Sequence, residues 1–190
     1  MKILLVQVKG FENNSLENEI KAFFESKNFE VKDKIFELSE AAKIPEVLLK
    51  DSVSIDYMIG VGLAGFFVLS ETNSNSRIVI NPWMLPSQNL SYIESVSPDL
   101  LFTLKKMELK TYDWVDAELR TAVYGFFQPD ANSCDKDIFL KIYGRNINGV
   151  NNYLLMEEDE FFMKLENALK YFEHIASLNY WSHMAGGLLI

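Results

Sequence analysis

The chain is poor in the residues from which common catalytic and metal sites are built. In 190 residues it has one cysteine, Cys134, and two histidines, His174 and His183. A single cysteine rules out an internal disulfide and fits a reducing compartment. With so few nitrogen and sulfur ligands, an ordinary zinc site would have to be completed by carboxylates. The acidic run Glu157-Glu158-Asp159-Glu160 reads more simply as a solvated helix start, where negative charge is favoured. Positive charge is scarce as well: 18 Lys and Arg stand against 27 Asp and Glu, a formal net charge of -9. Nucleic acids and anionic membranes call for a basic surface, so neither is an expected partner. No apolar run approaches the length of about 18 residues that a membrane-spanning helix needs. No basic segment leading into an apolar one follows Met1, so the sequence predicts no signal peptide and a cytoplasmic location.

What the chain does have is apolar content. Hydrophobic residues make up 48%, which predicts a packed globular chain and not a disordered one. Its length suits a single domain over 1–190. Apolar runs predict strands at 2–8, 57–59, 77–81, 122–127 and 152–156, and a more polar run predicts one nearer a sheet edge at 29–36. Between them, helical spacing predicts helices from Ser15 as N-cap, from Ser39 with Pro45 as an irregularity, after Gly62, over 134–143, and over 161–172. Residues 83–120 interrupt the alternation and predict a mainly helical, lid-like insertion. The tail 177–190 has no assigned place. Apolar strands alternating with helices predict an α/β three-layer sandwich with a mainly parallel sheet. Ligands of such sheets sit beyond the carboxyl ends of the strands.

The chain is organised around Tyr57-Met58-Ile59-Gly60-Val61-Gly62-Leu63-Ala64-Gly65-Phe66. A buried strand runs into a turn of small residues and then into an apolar helix. Two chemistries use such a turn. One is the dinucleotide fingerprint G-x-G-x-x-G, matched by Gly60, Gly62 and Gly65. The other is the nucleophile elbow G-x-S-x-G, with Gly62 standing where the serine would be. A glycine-rich turn that binds nothing would use the same residues. The dinucleotide motif normally follows the first strand and needs an acid about 20 positions later. Here two strands precede it, and the next strand ends in Asn81-Pro82.

Further pieces stand in a fixed order. Val8-Lys9-Gly10-Phe11 ends the first strand, and Val79-Ile80-Asn81-Pro82 ends the fourth. Tyr124-Gly125-Phe126-Phe127-Gln128-Pro129-Asp130-Ala131-Asn132 follows, then Phe139-Leu140-Lys141-Ile142-Tyr143-Gly144, then Tyr153-Leu154-Leu155-Met156-Glu157-Glu158-Asp159. With the glycine turn, this series resembles small α/β-hydrolases of the YqiA/YcfP-like esterase type over roughly residues 3–172. The resemblance implies the α/β-hydrolase fold and a triad of serine, acid and histidine. The expected residues are missing. Gly62 occupies the nucleophile position and Ala131 the acid position, with Asp130 beside it or Pro129 in a shifted register. Asp159 or Glu158 occupies the base position, and Lys9 replaces the histidine of the oxyanion loop.

The resemblance therefore implies a catalytically degenerate, esterase-like protein that binds a small molecule or a protein, with no cofactor. The expected pocket comprises Gly10, Phe11, Gly62, Leu63, Trp83, Asp130 and Glu158, with main-chain N–H groups near Phe11 and Leu63 directed into it. Two alternatives stay open. One is an active ester hydrolase with rearranged residues, Ser133 or Cys134 as nucleophile, Ser70 being too far along its helix. The other is dinucleotide binding through Gly60, Gly62 and Gly65.

Overall fold

The computed structural model describes residues 1–70, 76–113, 122–128, 131–143, 153–155, 161–170 and 173. Six strands form one sheet: β1 Lys2–Val8, β2 Glu30–Phe36, β3 Tyr57–Val61, β4 Ser76–Ile80, β5 Ala122–Phe127 and β6 Tyr153–Leu155. Their order is β2-β1-β3-β4-β5-β6, and every pairing is parallel. The expected α/β sandwich with a parallel sheet is thus what forms. Burial explains the order. β3 is buried throughout and β4 from Arg77 onward, as strands covered on both faces must be. β2 buries only Phe36 fully and carries Glu30, Lys32, Asp33 and Lys34, which suits an edge.

The helices are α1 Asn14–Ser26, α2 Ile44–Ser52, α3 Leu63–Ser70, α4 Pro86–Leu90, α5 Pro98–Asp113 and α6 Ser133–Tyr143. Two starts differ from the sequence reading. Asn13, and not Ser15, caps α1, its Oδ1 accepting from the Leu16 N–H at 3.4 Å. Asparagine competes well at that position. Leu38–Lys43 forms a 3-10 turn without a side-chain cap, and α2 begins at Ile44 with Pro45 in its first turn. Proline there removes an N–H that would have no partner, so it starts a helix instead of disturbing one. α3 is buried from Leu63 to Leu69, which accounts for its apolar run.

The insertion after residue 82 supplies α4 and α5, with its last residues, 114–120, outside the described set. It is part of the core and not a detached cover: Met84, Leu90 and Leu104 are completely buried within the cluster that contains β1, β3 and α3. Residues 1–155 make one compact unit and residues 156–190 a second. In the second, 161–170 are helical, with Phe161, Leu165, Ala168 and Leu169 buried on one face. The tail 177–190 lies outside the described residues. No helix among the described residues is long and apolar enough to cross a membrane.

One buried acid in this frame has a measurable consequence. Glu17, in the first turn of α1, is 2% exposed and accepts from Gln7 Nε2 at 2.6 Å. Burial raises its pKa, and the hydrogen bond from Gln7 only partly opposes this. A carboxyl raised on folding contributes stability below the ordinary carboxylate range and loses it as pH rises through the raised value. Glu17→Gln keeps an acceptor for Gln7 without the charge. It is expected to raise Tm by a few degrees at pH 7.5 and to leave it nearly unchanged at pH 4, by thermal unfolding at both pH values. A variant less stable at pH 7.5 would contradict this account.

Candidate functional site

The corner between β3 and α3 lies at the carboxyl edge of the sheet, beside the point where strand order reverses between β1 and β3. Its three glycines have different reasons to be glycine. A Cβ on Gly60 would come within 2.7 Å of the Ala64 backbone, and one on Gly65 within 3.0 Å of Pro82 Cβ. These two permit the close approach of helix to strand and loop. Gly62 is different. Its φ is +57°, while a Cβ there would meet only Trp83 Nε1 at 3.6 Å, an ordinary contact. Backbone conformation, and not space, selects glycine at 62. A serine in that conformation would store strain of roughly 1–3 kcal/mol.

Two hydrogen bonds fix this corner to the tip of β4 and the loop after it, and a third closes the corner on itself. The Gly62 N–H donates to the Ile80 carbonyl at 2.9 Å, and the Gly62 carbonyl accepts from the N–H groups of Gly65 and Trp83 at 3.1 Å each. Trp83 is thereby brought over Gly62. Its ring meets Phe11 edge to face, with centroids 5.8 Å apart and planes at 82°. Phe11 comes from the loop after β1, where Gly10 has φ +82° and donates its N–H to Glu12 Oε2 at 2.7 Å. The Phe11 N–H does not point to a ligand: it closes its own turn on the Val8 carbonyl at 2.9 Å. The Leu63 N–H, at the start of α3, has no acceptor among the described residues, but the Leu63 side chain is fully buried. Lys9 Nζ pairs with exposed Glu37 at 2.6 Å.

Two clefts flank the Phe11–Trp83 pair. One, of about 490 Å³, has Phe11, Leu38, Ala42, Val96 and Leu100 among its lining. The other, of about 310 Å³, has Trp83, Asn81, Asn89, Gln128, Ala131 and Asp135 among its lining. The expected pocket residues are thus distributed: Phe11 on one cleft, Trp83 on the other, Gly62 and Leu63 on neither, and Gly10 in solvent, while Ala131, at the expected acid position, lies on the second cleft. Asp130, Glu158 and Asp159 lie outside the described residues, as do His174 and His183. Ser70, at the far end of α3, donates to the Phe67 carbonyl at 2.8 Å. Cys134 is exposed in the first turn of α6, its N–H held by Asn132 Oδ1 at 2.9 Å.

The second cleft contains groups the sequence did not single out. Asp135, 4% exposed, accepts from the N–H groups of Met84 and Leu85 through Oδ1 at 2.7 and 3.2 Å. Its Oδ2 accepts from Asn89 Nδ2 at 3.3 Å. Glu108 on α5, fully buried, accepts from the Ser87 N–H at 2.7 Å, and Lys105 Nζ lies 3.3 Å from its other oxygen. Two distant acids therefore satisfy the unpaired N–H groups where α4 begins. Burial pushes the Asp135 carboxyl upward, against the pull of its three donors. Asn81, with φ +46°, ties β4 to β5: its Nδ2 donates to Gln128 Oε1 at 2.5 Å, and its Oδ1 accepts from the Gln128 N–H at 2.9 Å.

The sequence matches no family model and no curated protein. Solved structures are similar to it in fold. Est1E from Butyrivibrio proteoclasticus aligns with a TM-score of 0.60 and 13% identity over 93% of this chain and 88% of its own. A monoacylglycerol lipase from Paleococcus ferrophilus aligns with a TM-score of 0.52 and 12% identity over 93% of this chain and 94% of its own. The chain has an α/β-hydrolase-like fold, and at these identities the likeness extends to the fold alone.

Proposed function

We propose that this chain is a non-catalytic α/β-hydrolase-like protein that binds a small molecule and does not cleave it. The observation that carries the reading is the corner itself. In this fold the corner between strand and helix presents the nucleophile, and here it presents Gly62 beneath the Trp83 indole. The positions that would activate a nucleophile are also changed, with Ala131 for the acid and Asp159 or Glu158 for the base. A carboxylate lacks imidazole's two nitrogens, one to take the hydroxyl proton and the other for an acid to orient.

Two observations favour binding without chemistry over the alternatives. Ser133 and Cys134 begin α6 with exposed side chains, and Ser70 faces back into its own helix. A pyrophosphate laid on the corner, as in dinucleotide binding, would have to displace the Trp83 indole from above Gly62. The test is fluorophosphonate labelling together with turnover of p-nitrophenyl acetate and butyrate. The expected result is no labelled serine and no turnover above the uncatalysed rate. Turnover lost in Ser133→Ala or Cys134→Ala would overturn the reading. Gly62→Ser is likewise expected to restore no hydrolysis, because a hydroxyl without base or acid stays protonated. That variant should lose about 1 kcal/mol of stability through its left-handed backbone, measured by urea unfolding.

A further inference from the structure

The smaller cleft is built from amides that each have one end fixed and the other unoccupied. Gln128 Oε1 is held by Asn81, while Gln128 Nε2 has no acceptor among the described residues. Asn132 Oδ1 is held by the Cys134 N–H, while its Nδ2 has no acceptor among them. Asn89 Nδ2 is held by Asp135, while its Oδ1 has no donor among them. These three side chains line a space of about 310 Å³ together with Trp83, which gives the wall an apolar part. No lysine, arginine or histidine is among its described lining residues, and the buried Asp135 carboxyl is.

We propose that this cleft, between the tips of β4 and β5 and the start of α6, binds a neutral monosaccharide-sized polyol. The inference rests on the reading above that the chain binds without cleaving. Each property of the site selects for that class. A sugar hydroxyl both donates and accepts, so neighbouring hydroxyls satisfy a mixed set of amide donors and acceptors together. An indole wall takes the C–H face of a sugar ring. Pockets for small ligands span roughly 300–1,000 Å³, so this cleft, at the lower end, matches a ligand of one ring. An acidic sugar or sugar phosphate would meet Asp135 with no cation among the described lining residues to offset it. The fixed amide ends matter as much as the unoccupied ones, because a donor already oriented loses little freedom on binding.

The test uses the full chain with D-glucose, D-galactose, D-mannose and D-ribose, and D-glucuronate as the charged comparison, by saturation-transfer NMR and tryptophan fluorescence. At least one neutral sugar should bind saturably, and glucuronate should bind about tenfold more weakly or not at all. Two variants then locate the site. Gln128→Glu keeps the oxygen that accepts from Asn81, and Asn132→Asp keeps the oxygen that accepts from Cys134. Each replaces the amide donors with a carboxylate oxygen, and each should weaken binding of a neutral sugar about tenfold. Failure of all four neutral sugars to bind saturably, equal binding of glucuronate, or unaltered affinity in both variants would overturn the proposal. Turnover of p-nitrophenyl esters would defeat the reading of lost catalysis and leave this cleft untouched, so the two failures are distinguishable.

Discussion

Gly60→Ala is expected to lose about 3 kcal/mol or more of folding stability, enough to leave much of the chain unfolded at physiological temperature. The added methyl would sit 2.7 Å from the Ala64 carbonyl carbon and oxygen and 2.8 Å from the Gly65 nitrogen. All three are backbone atoms in the first turn of α3, so no rotamer change relieves the overlap. The helix would have to lift off β3, and its side chains from Leu63 to Leu69 are all buried. Gly10→Ala is the control. Its Cβ would have nothing within 4 Å, so only φ +82° opposes it, at about 1 kcal/mol. Urea unfolding of the two variants separates steric exclusion from conformational preference. Equal midpoints would show that the contact at residue 60 relaxes freely.

Asp135→Ala is expected to lose about 3 kcal/mol, since it removes a carboxyl that accepts from two backbone donors and an amide. The Met84 and Leu85 N–H groups would lose their acceptor, and Asn89 its partner. Relief from burying a carboxylate offsets part of the loss. Asp135→Asn retains one oxygen for the two N–H groups and should lose about half as much. The pH dependence has a definite sign. Because burial raises this carboxyl, its contribution is largest below the ordinary carboxylate range and falls as pH rises through the raised value. The deficit of Asp135→Ala relative to the parent should therefore be smaller at pH 8 than at pH 4.5. A deficit that grows with pH would show that the hydrogen bonds to the charged form dominate.

Most of the sheet was legible because its strands, the more polar β2 apart, are short apolar runs separated by turn residues, a signal carried within each run. The same holds for the corner: three glycines and Ala64 between Ile59 and Phe66 mark a tight turn, with Gly60 and Gly65 at the close approach of strand and helix. Starts of helices were less legible. Asn13 and Ser15 are both good caps, and the choice between them depends on where the loop after β1 lets the chain turn. The contents of the site were hidden for a different reason. Asp135 reads in isolation as an ordinary acid in a first helical turn. Its real partners, Met84 and Leu85, are 51 and 50 residues away in sequence. Trp83 reads as the first residue of an insertion, and nothing local says that the Gly62 carbonyl draws its N–H back over the corner. Pairing between remote loops is set by how the strands line up, which no single stretch encodes.

β1 has partners on both sides, and both are made after it. As the polypeptide leaves the ribosome, Ile3 to Val6 emerges with no strand beside it. Glu30–Phe36 must be synthesised before one flank is covered, and Tyr57–Val61 before the other. A hairpin would close within a few residues, whereas parallel pairing waits for a whole crossover. Nascent chains stalled before residue 57 therefore carry an apolar segment with one side bare, and these fragments are the species that chaperones must shield.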